Sequence, residues 1–365
     1  MLVTVVLIGM LVAAVALFIR QDQFGQSPSG ERLERIRQSP NFRDGKFQNL
    51  SETPQLTGEA NYVTVIYDNY FKSIPRHYPT DTVPSVKTDL RNLPPDANVL
   101  VWFGHSSYYL QIDGKRILVD PVFSGNASPI PGTTKSYAGT DIYSVADMPE
   151  IDYLFISHDH YDHVDHQTLV GLREKIGQVI CGLGVGAHFE RWGYKPDQIV
   201  EKDWYEQVDL DTDFTVYVEP ARHFSGRALS THNTLWASYV LQTPSLKVYI
   251  GGDSGYDAHY ADIGKRHGPI DLAMLDNGQY DDAWRYLHNH PGEVLQAARD
   301  LGARRLFPVH SSKFTLAAHP WDEPYRKITE LNEDFNIPLV TPMIGEVVEL
   351  KDTTQVFARW WEGLN

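Results

Sequence analysis

The chain has 365 residues, enough for one large domain or two modest ones, and with 42% hydrophobic and 22% charged residues its composition is that of a folded protein, not a disordered one. The formal net charge is -15 and no Lys/Arg cluster interrupts it, which excludes the basic footprint that a nucleic-acid binder needs. The single cysteine, Cys181, excludes an internal disulfide and any cysteine-based zinc site, so a metal centre must be built from His and carboxylate side chains.

The first element is LVTVVLIGMLVAAVALFI, Leu2 to Ile19, 18 residues without a charge. As a helix it would span about 27 Å, against a hydrocarbon core of roughly 30 Å. No basic stretch precedes it and no small-x-small cleavage site follows. It is therefore expected to be an uncleaved membrane anchor over residues 1–20, with a signal peptide as the competing reading. Arg20, Arg32, Arg35 and Arg37 follow the segment, and the positive-inside rule puts the rest of the chain in the cytoplasm, as a single-pass protein. Residues 21–60 read as a linker and irregular segment, with a short helix in ERLERIR.

From Asn98 the pattern sharpens. NVLVWFG is an apolar strand, and YYLQIDGKRILVD is a hairpin around Asp113-Gly114. IDYLFIS is a third strand, and VDHQTLVGLREKI carries helical spacing from about Val164. QVICGL, FTVYVEPA, SYVLQT, LKVYIGGD, DLAMLD and RRLFPVH follow as strands, with a helix in PGEVLQAARDLGA. Strands that later alternate with helices predict sheet layers covered by helices. The glycines of CGLGVGAHF lack the full dinucleotide fingerprint and read as a structural turn.

FISHDHYDHVDH, Phe155 to His166, packs four histidines into twelve residues, interleaved with aspartates, where a buried strand ends. His158 and His160 are two apart, so an extended backbone puts both imidazoles on one side. Asp162 and His163 follow a bend and can serve a second ion. A dinuclear site needs about three protein ligands per metal, so the rest must come from elsewhere in the chain. His223, Asp253 and His310 each stand just past an apolar strand, where a sheet presents its edge to a common cleft.

HDHYDH matches the H-x-H-x-D-H signature of the metallo-β-lactamase superfamily. The later His, Asp and His come in that family's order. Within it the chain resembles the N-acyl-phosphatidylethanolamine phospholipase D branch and its bacterial relatives, from about Val101 to about Leu350. WFGHSSYYLQIDGKRILVDPVFS, ISHDHYDHVDH, GGDSGY, IGKRHGPIDLA and HNHPGE carry that resemblance. DGKFQNL (Asp44 to Leu50) resembles a segment ahead of the phospholipase's first core strand.

The resemblance implies an α/β fold, a four-layer αββα sandwich over residues 61–352, here with an N-terminal transmembrane helix and a C-terminal tail over 353–365. It implies two Zn²⁺, with Mn²⁺ or Fe²⁺ also compatible with such ligands. His158, His160 and His223 would hold one ion, Asp162, His163 and His310 the other, and Asp253 would bridge. A metal-bridging hydroxide would be the nucleophile, and the substrate a phospholipid or small anionic molecule cleaved at a phosphodiester. Asp162 is thereby placed at the reaction centre, and His288, in RYLHNHPGE, aligns with a substrate-side histidine. His105, Asp120 and Asp159 are expected to support the ligands from behind. Two other readings stand beside this one: a lactonase or other hydrolase on the same scaffold, and a catalytically silent, metal-stabilised membrane protein. No feature of the sequence specifies an oligomeric state.

Overall fold

The computed structural model describes residues 2–365. Its strands, in chain order, are β1 (Phe42–Arg43), β2 (Lys46–Phe47), β3 (Val99–Trp102), β4 (Tyr108–Ile112), β5 (Lys115–Val119), β6 (Ile151–Ile156), β7 (Ile176–Gly182) and β8 (Ile199–Lys202). They continue with β9 (Gln207–Asp211), β10 (Phe214–Glu219), β11 (Gly226–Arg227), β12 (Ser230–Thr231), β13 (Ser238–Gln242), β14 (Lys247–Ile250), β15 (Leu272–Asp276), β16 (Leu306–Val309) and β17 (Val347–Glu349). The α-helices are α1 (Leu2–Phe18), α2 (Gly30–Gln38), α3 (Tyr62–Tyr70), α4 (His166–Leu172), α5 (Gly186–Arg191), α6 (His259–His267), α7 (Pro291–Asp300) and α8 (Glu323–Phe335).

Two sheets face each other. One has seven strands in the order β17-β3-β4-β5-β6-β7-β8, and the other six in the order β16-β15-β14-β13-β10-β9. Each begins with antiparallel pairs and turns parallel, β5 to β8 in the first and β14 to β16 in the second, with α-helices in every parallel crossover but that from β5 to β6, which is a long loop. The period-2 alternation of the strands sorts their side chains into layers. Leu100 and Trp102 point between the sheets, while Val101 joins the outer layer under α4 and α5 with Leu169 and Phe189. Val248 and Ile250 likewise face inward, and Tyr249 meets α6 and α7 through Tyr260 and Leu295. The result is helix, sheet, sheet, helix. The β4–β5 turn is the two-residue hairpin expected from Asp113-Gly114, with φ of +48° and +79°.

The anchor expectation is corrected. Among the described residues no helix is long and apolar enough to cross a membrane; residue 1 of the proposed anchor lies outside them. The apolar helix α1 has 17 residues, about 25 Å, short of a hydrocarbon core of roughly 30 Å. The chain just beyond it is tied to the rest of the fold. The Arg191 guanidinium donates to the carbonyl of Arg20 (2.5 Å) and the Trp192 indole to that of Asp22 (2.8 Å). Arg227 donates to the carbonyl of Gln23 (2.5 Å), and α2 buries Ile36 and pairs Arg32 with Glu190 and Glu201.

The far end of the chain is also tied in. Trp360 and Trp361 join the layer between the sheets, with Tyr325 stacked on Trp361 at 4.7 Å and edge-on to Trp360 at 5.3 Å. Trp361→Ala is expected to cost about 3–5 kcal/mol, the range for emptying a buried aromatic site. The check is a fall in the denaturant midpoint at unchanged slope.

Candidate metal centre

The strand β6 delivers the histidine loop to the edge of the sheets. Asp120, at the end of neighbouring β5, accepts from the Ser157 amide (2.9 Å) and hydroxyl (2.6 Å), fixing the chain where it leaves the strand. The same carboxylate lies 2.8 Å from His163 Nδ1, so it also fixes that imidazole. The helix expected from Val164 begins two residues later, because the Asp165 side chain accepts from the Gln167 amide and caps it.

His158, His160 and His223 converge. His158 Nε2 lies 2.9 Å and His223 Nε2 3.3 Å from His160 Nδ1. Asp253, just past β14, stands at the middle of the cluster. Its carboxylate is 3.0 Å from His310 Nδ1, 3.2 Å from His163 Nε2 and 3.7 Å from both His158 Nε2 and His223 Nε2. Asp162 lies 3.4 Å from His163 Nε2 and 2.9 Å from His105 Nε2. Ligand atoms of His105, Asp162, His163 and His310 lie within 4.8 Å of one another, as do those of His158, His160 and His223. All seven expected ligands are therefore in one place, supplied by the ends of β6, β10, β14 and β16.

These side chains fit a cation. Three imidazole nitrogens facing one point cannot all be satisfied by protons, and buried His163 Nε2 has carboxylates at 3.2 and 3.4 Å but no aligned hydrogen bond. Burial, then neighbouring His163 and His160, hold His158 well below the ordinary histidine range. Burial, then Asp253, Asp162 and Asp120, act oppositely on His163, and the carboxylates prevail, raising it. The backbone around the cluster is strained, since His105, Asp120, His310 and Ser312 all have φ between +41° and +66°, conformations that cost non-glycine residues energy.

The expected supporting residues divide. His105 touches Asp162 directly, and Asp120 holds His163. Asp159 turns away from the cluster and accepts from the Gly226 amide (2.7 Å) and the Thr234 hydroxyl (2.8 Å), with His188 at 3.2 Å. His288 lines the cleft, its Nδ1 2.7 Å from Asp276. Sequence reasoning missed Asp276 as a site residue, although it ends β15 just as Asp253 follows β14. Burial pushes the Asp276 carboxyl up to about 7. Burial lowers and Asp276 raises His288, whose net shift is upward. The glycine turn after β7 offers no phosphate cradle, because the Gly184 and Gly186 amides are taken by Glu201 (2.7 and 3.0 Å).

A profile of the beta-lactamase superfamily domain matches residues 115–311, more than half of the chain. The chain belongs to the metallo-β-lactamase superfamily, and is a metal-dependent hydrolase of it. An uncharacterized protein of Mycobacterium tuberculosis is 37% identical over 331 residues, covering 89% of this chain and 88% of its own length. The N-acyl-phosphatidylethanolamine-hydrolyzing phospholipase D 1 of Caenorhabditis elegans is 27% identical over 318 residues, covering 78% and 88%. Among solved structures, the metallo hydrolase Igni18 of Ignicoccus hospitalis superposes with a TM-score of 0.54 at 19% identity, over 69% of this chain and 97% of its own. That likeness is one of fold.

Binding to the folded state alone stabilises it. Removing metal with a chelator and returning Zn²⁺ or Mn²⁺ at 100 times its Kd should recover about 2.7 kcal/mol. A melting temperature indifferent to the added ion would show that the cluster is not a metal site.

Proposed function

We propose that the protein is a dinuclear metal hydrolase, with zinc as the ions, that cleaves a phosphodiester in a phospholipid of the N-acyl-phosphatidylethanolamine type. His158, His160 and His223 would hold one ion and Asp162, His163 and His310 the other, with Asp253 shared. When bound, such a pair supplies Lewis acidity and lowers the pKa of the water it holds.

One observation carries the lipid reading: the wall of the cleft beside the cluster is apolar. The cavity has a volume of about 370 Å³ and reaches from His160, Asp162 and His310 to Leu56, Val65, Phe224, Trp284, Leu287 and Leu316. Polar donors at the floor and hydrocarbon walls above suit a headgroup phosphate joined to acyl chains. The helix α3 borders this cavity through Tyr62 and Val65 and shows solvent an uncompensated apolar surface, with Val63 76% and Tyr67 59% exposed. Aromatic and branched side chains on a short capped helix suit the edge of a bilayer. The similarity to the nematode phospholipase D supports the same substrate class.

The chain's own part in hydrolysis is to orient and to move protons. The new P–O bond forms with water and the bond to the headgroup oxygen breaks, leaving phosphatidic acid and an N-acylethanolamine. The leaving oxygen needs a proton, and His288 can supply it from Nε2, since Nδ1 is engaged by Asp276. The two buried groups hold a proton between them.

The test is mass spectrometry of a phospholipid extract incubated with the zinc-loaded full chain, beside Asp162→Asn. Phosphatidic acid and N-acylethanolamine should appear with the intact site alone. Untouched lipids from a protein that binds two ions would refute the substrate while leaving the metal reading intact. A second expectation concerns pH. Asp276 raises the His288 pKa, so Asp276→Asn should lower it. If His288 is the proton donor, the alkaline limb of kcat/KM against pH then moves to lower pH; a limb that stays in place removes His288 from that role.

A further inference from the structure

The β1–β2 hairpin, well ahead of residues 115–311 that the superfamily profile matches, leads to a side chain that meets the cluster. The hairpin β1–β2 turns on Asp44 and Gly45, with φ of +54° and +77°. It is held by the fully buried Phe47, whose amide donates to the carbonyl of His232 (2.9 Å) and whose ring meets Phe42 edge-on at 5.1 Å. Two residues later, the Asn49 side chain meets His223. Its amide nitrogen donates to the His223 carbonyl (2.7 Å) and its oxygen accepts from the His223 amide (3.1 Å). The same oxygen accepts from the Trp236 indole (3.0 Å). This pattern fixes which end of the side-chain amide is oxygen.

One side chain thus binds both main-chain polar groups of His223. The imidazole is secured separately, Nδ1 donating to the carbonyl of Leu287 (2.9 Å), which leaves Nε2 aimed at His160 and Asp253. His158 and His160 are seated by the strand that precedes them, but His223 lies beyond the end of β10, where no ladder partner holds it. Asn49 takes that place. The amide supplies a donor and an acceptor on separate atoms, whereas aspartate offers no donor and alanine neither group.

We propose that Asn49 is a positioning residue for His223 and sets the retention of the ion held by His158, His160 and His223, a role that rests on the metal reading above. The β1–β2 segment is thereby part of the proposed metal site, although Asn49 is not one of its ligands.

The test uses the full chain as wild type, Asn49→Ala, Asn49→Asp and, as a control, Gln48→Ala, whose side chain reaches only the exposed carbonyl of Arg43. Each is loaded with Zn²⁺ and its bound metal counted by mass spectrometry across a chelator series. Co²⁺-loaded samples report each site's geometry through the visible d–d bands. Wild type and Gln48→Ala should hold two ions alike. Asn49→Ala should lose one ion at about 10- to 100-fold lower chelator concentration, the usual effect of removing a ligand's support, while the second stays at wild-type strength. Asn49→Asp, which keeps the acceptor, should fall between them. Two ions retained equally by wild type and both variants would overturn the role of Asn49 and leave the metal reading standing. Loss of both ions in parallel would overturn it too, since a general loosening does not select one site. A wild type that binds no ion would overturn both readings. If Asn49→Ala fails to fold, Asn49→Asp carries the same comparison.

Discussion

A carboxylate surrounded by imidazoles organises this molecule. Asp253 is nearly out of reach of solvent, and four histidines brought by three other segments approach it within 3.7 Å. Burying so many polar groups is tolerable only where their charges and lone pairs answer one another. The fold meets that condition by ending β6, β10, β14 and β16 at one edge of the sandwich. Around the edge, Ser157, Asp120 and the carbonyl of Leu287 secure His158, His163 and His223 by the ring nitrogen turned away from Asp253, while Ser106 meets His310 at the nitrogen that faces it. What lies deeper is ordinary aliphatic and aromatic packing. That packing keeps two twisted sheets in register so that their ends meet.

Much of this was legible in the sequence, and the reason is periodicity. Strands buried on both faces read as continuous apolar runs, so NVLVWFG, IDYLFIS and DLAMLD announced themselves, and a metal ligand placed just past such a run is visible by position. Elements stabilised by context were not. Helix α3 is rich in β-branched and aromatic residues, which favour strands, and is started by the capping box of Asn61 and Thr64. The strand β8 is only half buried and gave no alternation to read. The expected membrane span is unsupported for a different reason. Hydropathy reports that a segment is apolar, but the hydrogen bonds from Arg191 and Trp192 that hold the chain just past α1 come from about 170 residues away, and no local pattern contains them. Asn49 and Asp276 are hidden in the same way, since an Asn after a hairpin and an Asp at a strand end are common. Only the partner across the fold gives either one meaning.

Charge and apolarity are separated in space. The protein carries a net charge of -15. At the cleft, however, aspartates are matched by histidines, and the walls above carry hydrocarbon. A diffuse negative field around a site able to take cations attracts divalent ions and repels anions in bulk solution; on the proposed function, recognition of an anionic headgroup would fall to the ions themselves.

The pairing of β17 with β3 has a consequence for biogenesis. Val347–Glu349 lies beside Val99–Val101, so the first sheet gains its outer strand only when the end of the chain has been made. The last of the clustered histidines, His310, precedes that strand by fewer than forty residues. During synthesis the histidines of the β6 loop emerge long before Asp253 and His310, and for that interval they face water without their counter-charges. An ion that needs Asp253 or His310 as a ligand could be held by the complete cluster only after those residues have been made, well after the histidine-rich loop.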